Sequence, residues 1–192
     1  MDTGDSKKNA KKKAKPEKSS GRWAIQVFIM AVALSAVLSF ASDRALDGAG
    51  LAAAFIVLLA FILLGIFFDI IGVSVTAADM KPFHSMAARK TPGAKEALNL
   101  IRKADKVSSF CNDVVGDICG IIAGSTGAVI VVRIQADFGL PAVIMSLAIT
   151  ALTSGLTIGG KALGKSFAIA KSTQVLQLVG RFLHLFSSKK KR

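Results

Sequence analysis

The chain has 192 residues, is 52% hydrophobic and has a mean hydropathy of +0.54, which is too apolar for an ordinary soluble domain. The formal net charge is +13, from 25 Lys and Arg residues against 12 Asp and Glu residues. These basic residues lie in tails and short loops beside apolar segments and are not interleaved with aromatic residues. This distribution disfavours nucleic acid as a partner and favours a lipid bilayer with anionic lipid headgroups. We predict an all-α integral membrane protein with one transmembrane domain over residues 22–186.

The N-terminal part predicts a tail followed by a membrane anchor. Residues 1–21 are Lys-rich and hold no apolar run, which is typical of a disordered cytoplasmic tail. Residues 23–41 carry no formal charge and are long enough to span, with Trp23 at the interface. A cleaved signal peptide is the alternative, because residues 39–41 read Ser-Phe-Ala, and cleavage would leave the mature N-terminus outside. The basic and apolar regions are both long for a signal peptide, which favours a retained anchor.

A second apolar segment, residues 49–78, is longer than a bilayer requires. Thirty residues of helix would extend about 45 Å, against a hydrocarbon core of about 30 Å. Its second half is polar and contains Asp69, Ser74 and Thr76. Gly72 lies among these residues, and we predict a break of the helix there.

The following hydrophilic stretch, residues 79–106, predicts an amphipathic cytoplasmic helix over about 92–106. Thr91 and Pro92 form a typical helix start, with Thr as N-cap and Pro in the first helical position. Apolar residues then recur at helical spacing and form the face expected to lie against the membrane or the rest of the protein: Ala94, Ala97, Leu98, Ile101 and Ala104.

The third apolar segment, residues 107–132, carries acidic residues at membrane depth. Asp113 and Asp117 are four residues apart and so share a helical face, with Asn112 beside them. Carboxylates in a membrane segment are costly and therefore suggest a function. Glycines at small-x-x-x-small spacing predict close helix packing, within the bundle or across a dimer: Gly116, Gly120, Gly124 and Gly127. Cys111 and Cys119 have no zinc-binding spacing, so we interpret them as small buried residues.

The C-terminal part predicts a fourth span and a helix in the membrane interface. Residues 140–160 are apolar and form the span. Residues 167–186 carry polar side chains every three or four positions, which indicates a juxtamembrane amphipathic helix. Residues 187–192 form a second basic tail.

The distribution of positive charge predicts the orientation. Of the 25 Lys and Arg residues, 23 lie in residues 1–22, in residues 79–106 or after residue 160, and only Arg44 and Arg133 lie in the other loops. The positive-inside rule therefore predicts a multi-pass protein of the cell membrane with both termini in the cytoplasm.

The polar residues of the spans predict a cation site in the inner half of the membrane. Oxygen ligands suit a hard cation such as Mg²⁺, which keeps several waters and binds one or two carboxylates. We predict these metal-binding residues: Asp69, Ser74, Thr76, Asn112, Asp113 and Asp117. Lys161 is a candidate internal counter-ion, and structural ion pairing is the alternative role for these charges. No nucleophile–base pair or metal triad is present, so we expect neither catalytic residues nor an enzyme, and we expect no organic cofactor.

Four stretches resemble motifs of the CorB/CNNM (cyclin M) magnesium transporters. Residues 67–78, FFDIIGVSVTAA, are similar to the family's FFSGSETAL, and residues 93–100, GAKEALNL, match its basic cytoplasmic helix. Residues 111–118, CNDVVGDI, are similar to GNNLVNI, and residues 160–168, GKALGKSFA, to GEIIPKTIA. The resemblance implies a homodimer with a cation site that opens to the cytoplasm.

The chain departs from these motifs at acidic positions. Val75 and Lys161 stand where the family has Glu, whereas Asp69, Asp113 and Asp117 are additional acids. The cytoplasmic CBS pair of longer members is not seen in this sequence. The resemblance therefore predicts a diverged membrane domain that handles divalent cations, with Mg²⁺ transport or exchange expected. The alternative is a non-transporting membrane scaffold or interaction protein in which Lys161 fills the former ion site.

Overall fold

The structure, a computed structural model, describes residues 20–189, without the side chains of residues 20, 22, 23 and 186–189. Residues 1–19 and 190–192 of the predicted tails and the side chain of Trp23 therefore lie outside the described part. Residues 20–189 form helices and short connections and contain no strand. The α-helices are α1 Ser20–Leu46, α2 Leu51–Ala77, α3 Met80–Ala88, α4 Ala94–Arg102, α5 Ala104–Ser109, α6 Asp117–Phe138, α7 Ala142–Ala170 and α8 Ser172–Lys189. A π-helix, Phe110–Gly116, joins α5 to α6.

Four helical segments are long and apolar enough to cross a membrane, which confirms the predicted fold class. They are Ala24–Leu46, Leu51–Ala77, Ala104–Phe138 and Ala142–Ala170. Large apolar side chains cover the outside of the bundle, as expected of surfaces that face lipid. We call the end that carries α3, α4, α5 and α8 the basic end. The opposite end, where the connections are short, is the loop end.

Helix α2 is the central helix of the bundle. A stripe of buried residues runs along it at spacings of three and four, the repeat of one helical face: Ala54, Leu58, Ile62, Gly65, Asp69 and Gly72. This stripe faces the third membrane segment, where Ala123 and Ile130 belong to the same core as Leu58. Helix α7 packs parallel to α2 on a neighbouring face.

The predicted break at Gly72 is wrong, because α2 is a continuous α-helix from Leu51 to Ala77. The irregular backbone lies in the third membrane segment, where the π-helix interrupts the α-helical hydrogen bonding. Side chains bond across this turn: the Ser109 hydroxyl donates to Asp113 Oδ2 at 2.6 Å, and Asn112 Nδ2 donates to Ser108 Oγ at 3.2 Å. π-Helical turns occur frequently at functional sites.

At the loop end, Arg133 fixes the connection between α1 and α2. Its guanidinium donates to the carbonyl oxygens of Leu46, at 2.7 Å, and Ala49, at 2.6 Å. The carbonyl oxygens at the end of a helix lack partners within the helix, so the cation of α6 supplies the missing donors to α1. Arg133 was predicted to lie in a loop but belongs to α6, which extends to Phe138.

At the basic end, α3, α4 and α8 enclose a core that continues into the bundle. The predicted apolar face of α4 is buried within the protein at Ala94, Ala97, Leu98 and Ile101. Phe83 of α3 and Leu176 of α8 are fully buried in the same cluster. The amphipathic character of this stretch is therefore confirmed, and its apolar face lies against the protein.

The details of these amphipathic helices differ from the prediction. Helix α4 begins at Ala94 with Gly93 as N-cap, so the proposed start at Thr91 and Pro92 is wrong. Gly93 has a φ of +85°, which favours glycine, and it ends the preceding turn. The predicted helix over 92–106 is divided at Lys103 between α4 and α5. The last amphipathic helix begins at Ser172, because α7 continues to Ala170.

Helices α4 and α8 contact each other through glycine and through one hydrogen-bonded pair of polar side chains. A Cβ atom on Gly93 or Gly180 would clash with backbone of the other, so the two backbones are in direct contact. Nearby, His184 Nδ1 donates to Glu96 Oε1 at 2.9 Å. This hydrogen bond lowers the pKa of the Glu96 carboxyl below its ordinary value.

The Glu96–His184 contact predicts a pH-dependent contribution to stability. Because the pKa of Glu96 is lower in the folded state than its ordinary value of 4.5, ionised Glu96 contributes to the free energy of unfolding. This contribution is fully present at pH values above 4.5 and is lost as the pH falls through the folded-state pKa. Glu96→Gln should destabilise the protein at pH 7, by less than about 1 kcal/mol because such partly exposed pairs are weak. The difference from the parent should vanish at low pH when thermal unfolding is measured in detergent. Asp105→Asn, on the exposed side of α5, is the matched control, and an equal loss at both pH values would contradict a charge-based contribution.

Candidate functional site

Asp69 occupies the middle of the buried stripe of α2. It lies four residues after Gly65 and three before Gly72, and both glycines contact the third membrane segment. Only 6% of Asp69 is exposed, and its Oδ2 atom has no hydrogen-bond partner among the described residues. A buried carboxylate oxygen without a partner is costly, so this position calls for a ligand or a compensating charge.

Asn112 of the π-helix faces α2 one turn from Asp69. Its amide group lies against Gly72 so closely that a Cβ atom there would clash with Asn112 Oδ1. Asn112 Nδ2 donates to Ser108, which leaves Oδ1 buried and without a partner in the described part of the chain. A glycine at position 72 is therefore required for Asn112 to approach α2 this closely.

Lys161 reaches the same region from α7. The preceding residue, Gly160, lies against Ile66 with no room for a Cβ atom, which brings α7 close to α2. Lys161 Nζ lies 3.4 Å from the position that a Cβ atom on Gly116 would occupy, and it interacts electrostatically with Cys119. Within residues 20–189, Lys161 has no carboxylate within 4.0 Å, so it forms no direct ion pair there.

Asp69, Asn112 and Lys161 belong to three elements, α2, the π-helix and α7, that pack against one another in this region. The Gly116 carbonyl oxygen lies 3.7 Å from the position of a Cβ atom on Gly65, so the end of the π-helix lies one turn of α2 from Asp69. We call Asp69, Asn112 and Lys161 the polar junction. It combines two oxygens that lack donors with one ammonium group, all inside the basic half of the bundle.

The remaining predicted ligands do not face this junction. Ser74 is buried but donates to the Ala168 carbonyl oxygen at 3.4 Å, and Thr76 is exposed and donates to the Val73 carbonyl oxygen at 2.9 Å. Asp113 is exposed and accepts the Ser109 hydroxyl, and Asp117 is also exposed. Within the described residues, no three His, Cys, Asp or Glu side chains are grouped so as to hold a metal ion.

Sequence reasoning missed two features of this region. The π-helix has no established sequence signal, although Ser108, Ser109, Asn112 and Asp113 pair at a spacing of four. Thr126 is buried at 1% exposure, its hydroxyl has no hydrogen-bond partner in the part of the chain that the structure describes, and it was not singled out among the polar residues of the spans. Both cysteines are buried, as predicted, and neither forms a disulfide within the described residues.

Comparison of the chain with protein-family models, curated proteins and solved structures gave no match. The resemblance to the CorB/CNNM transporters therefore stays a prediction.

The buried state of Asp69 makes a prediction about stability without added cations. In a chelating buffer, Asp69→Asn should raise the free energy of unfolding by about 1–3 kcal/mol, since an uncompensated buried group is replaced by a neutral one. Thermal unfolding in detergent measures the change, with Asp137→Asn on exposed α6 as the control. A lower stability of Asp69→Asn would instead mean that Lys161 and Asp69 stabilise each other.

Proposed function

We propose that this protein handles divalent cations in the cell membrane, with Mg²⁺ as the expected ion, and that the polar junction is its cation site. The supporting observation is the pair of buried oxygens, Asp69 Oδ2 and Asn112 Oδ1, that have no hydrogen-bond donor among the described residues. Asn112 Oδ1 lies against Gly72, one turn of α2 from Asp69. Mg²⁺ bound to proteins keeps several waters and needs only one or two carboxylates. One carboxylate, one amide oxygen and water are therefore a sufficient ligand set.

The proposed route to the site opens at the basic end. Asp69 is eight residues from the end of α2, which corresponds to a depth of about 12 Å. The exposed carboxylates of Asp113 and Asp117 lie on the same segment as Asn112 and would attract cations toward it. In this proposal Asp113 and Asp117 form an entrance for cations, whereas the sequence predicted them as ligands in the site itself.

The proposed orientation follows the charge distribution, with the basic end and both termini in the cytoplasm. The packing of α1 supports a retained anchor. Val27, Ala31, Leu34 and Leu38 pack against a buried cluster of α6 and the π-helix that includes Val114. Removal of α1 as a signal peptide would expose this cluster.

Lys161 supports a second candidate function, a non-transporting membrane scaffold or interaction protein. Its ammonium lies beside Gly116, whose carbonyl oxygen is one turn of α2 from Asp69, and there it would offset part of the negative charge of Asp69 without a cation. The absence of a three-residue ligand group among residues 20–189 also favours this alternative. The two functions differ in what Lys161 does: it competes with a cation in the first and permanently replaces it in the second.

The cation function predicts stabilisation by Mg²⁺. A bound cation stabilises the folded state by mass action, by about 1.4 kcal/mol at a concentration tenfold above Kd, which corresponds to a Tm increase of about 3–6 °C for a chain of this length. Lys161→Ala should enlarge this increase, because a competing positive charge is removed. Asp69→Asn and Asn112→Ala should abolish it, whereas Asp137→Asn should respond like the parent. The measurement is thermal unfolding in detergent across millimolar Mg²⁺, Mn²⁺ and Na⁺.

Transport itself is tested with the same variants in proteoliposomes that contain a Mg²⁺-sensitive dye. Flux through the parent that Asp69→Asn removes would establish the transporter. If neither the parent nor Lys161→Ala gains stability with any of the three ions, the scaffold function replaces it.

We also propose that the protein is a homodimer that pairs through the groove between α6 and α7. Gly116 and Gly127 pack within the chain, against Lys161 and Ile149, but a Cβ atom on Gly120 or Gly124 would contact nothing within 4 Å. The small-x-x-x-small spacing of these two open glycines is therefore not used for packing among residues 20–189 of one chain. Threonine and serine side chains of α7, including Thr153 and Ser154, line the same groove. Small and hydroxyl-bearing residues are typical of contacts between membrane helices.

The open glycines allow association to be tested apart from folding. Because Gly120 and Gly124 have free space around them, Gly120→Leu and Gly124→Leu should leave the unfolding temperature of the monomer unchanged while they weaken the dimer. Size-exclusion chromatography with light scattering reports the mass of the complex. Gly159→Leu, at an open position on α7, is the control. A dimer that persists in both variants would exclude this groove as the interface.

A further inference from the structure

A second groove lies at the basic end, between α1 and the segment that joins α5 to α6. It has a volume of about 340 Å³ and is lined by Val27, Met30, Lys106, Ser109, Phe110 and Val114. Val27 and Phe110 pack against the buried Val114, so the floor of the groove belongs to the core of the bundle. Its mouth is open toward the outside of the protein.

The residues that line the groove are apolar in one part and polar in the other. Val27, Met30, Phe110 and Val114 form an apolar wall, and Met30 is 42% exposed in it. Lys106 is exposed, and together with Ser109 it forms the polar part. The Ser109 hydroxyl is bonded to Asp113, so the ammonium of Lys106 is the group of the groove that is available to an anion.

The position of the groove corresponds to the boundary between headgroups and acyl chains. Lys106 is the third residue of the membrane segment Ala104–Phe138, whereas Val27 is about 10 Å along α1 from Ser20. A basic side chain near a membrane surface attracts anionic lipid, and apolar side chains deeper in the bilayer contact acyl chains. The groove presents both kinds of contact at the corresponding depths.

We propose that this groove binds one anionic glycerophospholipid of the leaflet at the basic end. The lipid phosphate pairs with Lys106, and an acyl chain lies along Met30 and Phe110. Arg102 and Lys103 are exposed nearby and add positive potential, while Asp105 and Asp113 oppose it, so the preference for an anionic lipid depends on Lys106 itself. Residues 1–19 hold no apolar run and so do not suit the apolar wall. This lipid site depends on the membrane location of the protein and is independent of the cation function.

Native mass spectrometry of the full chain in detergent tests the proposal directly. The protein is titrated with phosphatidylglycerol or phosphatidylcholine of identical acyl chains. The parent should bind one phosphatidylglycerol at low concentration and prefer it over phosphatidylcholine. Lys106→Ala should weaken phosphatidylglycerol binding about fivefold, the contribution expected of one basic residue, and remove the preference. Lys81→Ala, an exposed lysine on α3 outside the groove, is the matched control.

A groove-filling variant separates this site from general attraction of anionic lipid. Met30→Trp should weaken the binding of both lipids, because the larger side chain occupies the space of the acyl chain. Equal phosphatidylglycerol binding by the parent, Lys106→Ala and Met30→Trp would overturn the proposal. So would equal losses in Lys106→Ala and Lys81→Ala, which indicate only diffuse attraction. The same spectra report whether the protein is a monomer or a dimer. If the parent binds no lipid and is dimeric, and Met30→Trp is monomeric, the groove binds a second copy of this chain and not a lipid.

Discussion

The close contact between α2 and the third membrane segment determines the rest of the structure. Gly65 and Gly72 lack side chains where Cys119 and Asn112 approach, so the two segments lie nearer than larger residues would permit. Asp69 lies between these glycines and is buried by the same contact. The packing that holds the bundle together therefore also removes a carboxylate from solvent, and stability and chemistry depend on the same surface.

At the polar junction, the free energy that is lost by burying the Asp69 carboxylate and the free energy that is gained from Lys161 are similar in size. Desolvation of a carboxylate costs several kcal/mol in a protein interior. An ammonium at 4 Å returns about 4 kcal/mol at an effective dielectric constant of 20, and Lys161 is farther than that from Asp69. A counter-ion at that distance offsets part of the cost and leaves the remainder to be supplied by a cation or by water. An arrangement with such a small net energy responds to a change of one charge, which is why Lys161 distinguishes the two candidate functions.

The architecture could be predicted from the sequence, whereas the membership of the site could not. Predominantly apolar runs of about 20 residues or more identify spans, because a backbone in lipid must be helical. The periodic apolar residues of α4 identify its buried face, because residues three and four apart lie on the same side of a helix. Asp69 and Asn112 were also recognised, since polar residues at membrane depth are conspicuous. Which way each side chain faces depends on packing between segments, so the exposure of Asp113 and Asp117 was not predictable. Gly72 shows the same limit: composition suggested a break, but the glycine accommodates Asn112 within a continuous helix.

Gly93 and Gly180 connect parts of the chain that are far apart in sequence. Only Lys171 separates α8 from α7, and α7 carries Lys161, while Gly93 precedes the helix that leads through α5 into the π-helix and Asn112. At Gly93 and Gly180 backbone lies against backbone, so at this point no flexible side chain separates α8 from the start of α4. A shift of α7 along its axis would therefore also move α8 and press on the start of α4, which leads toward Asn112, so the contact offers a connection between the two sides of the polar junction through α4 and α8.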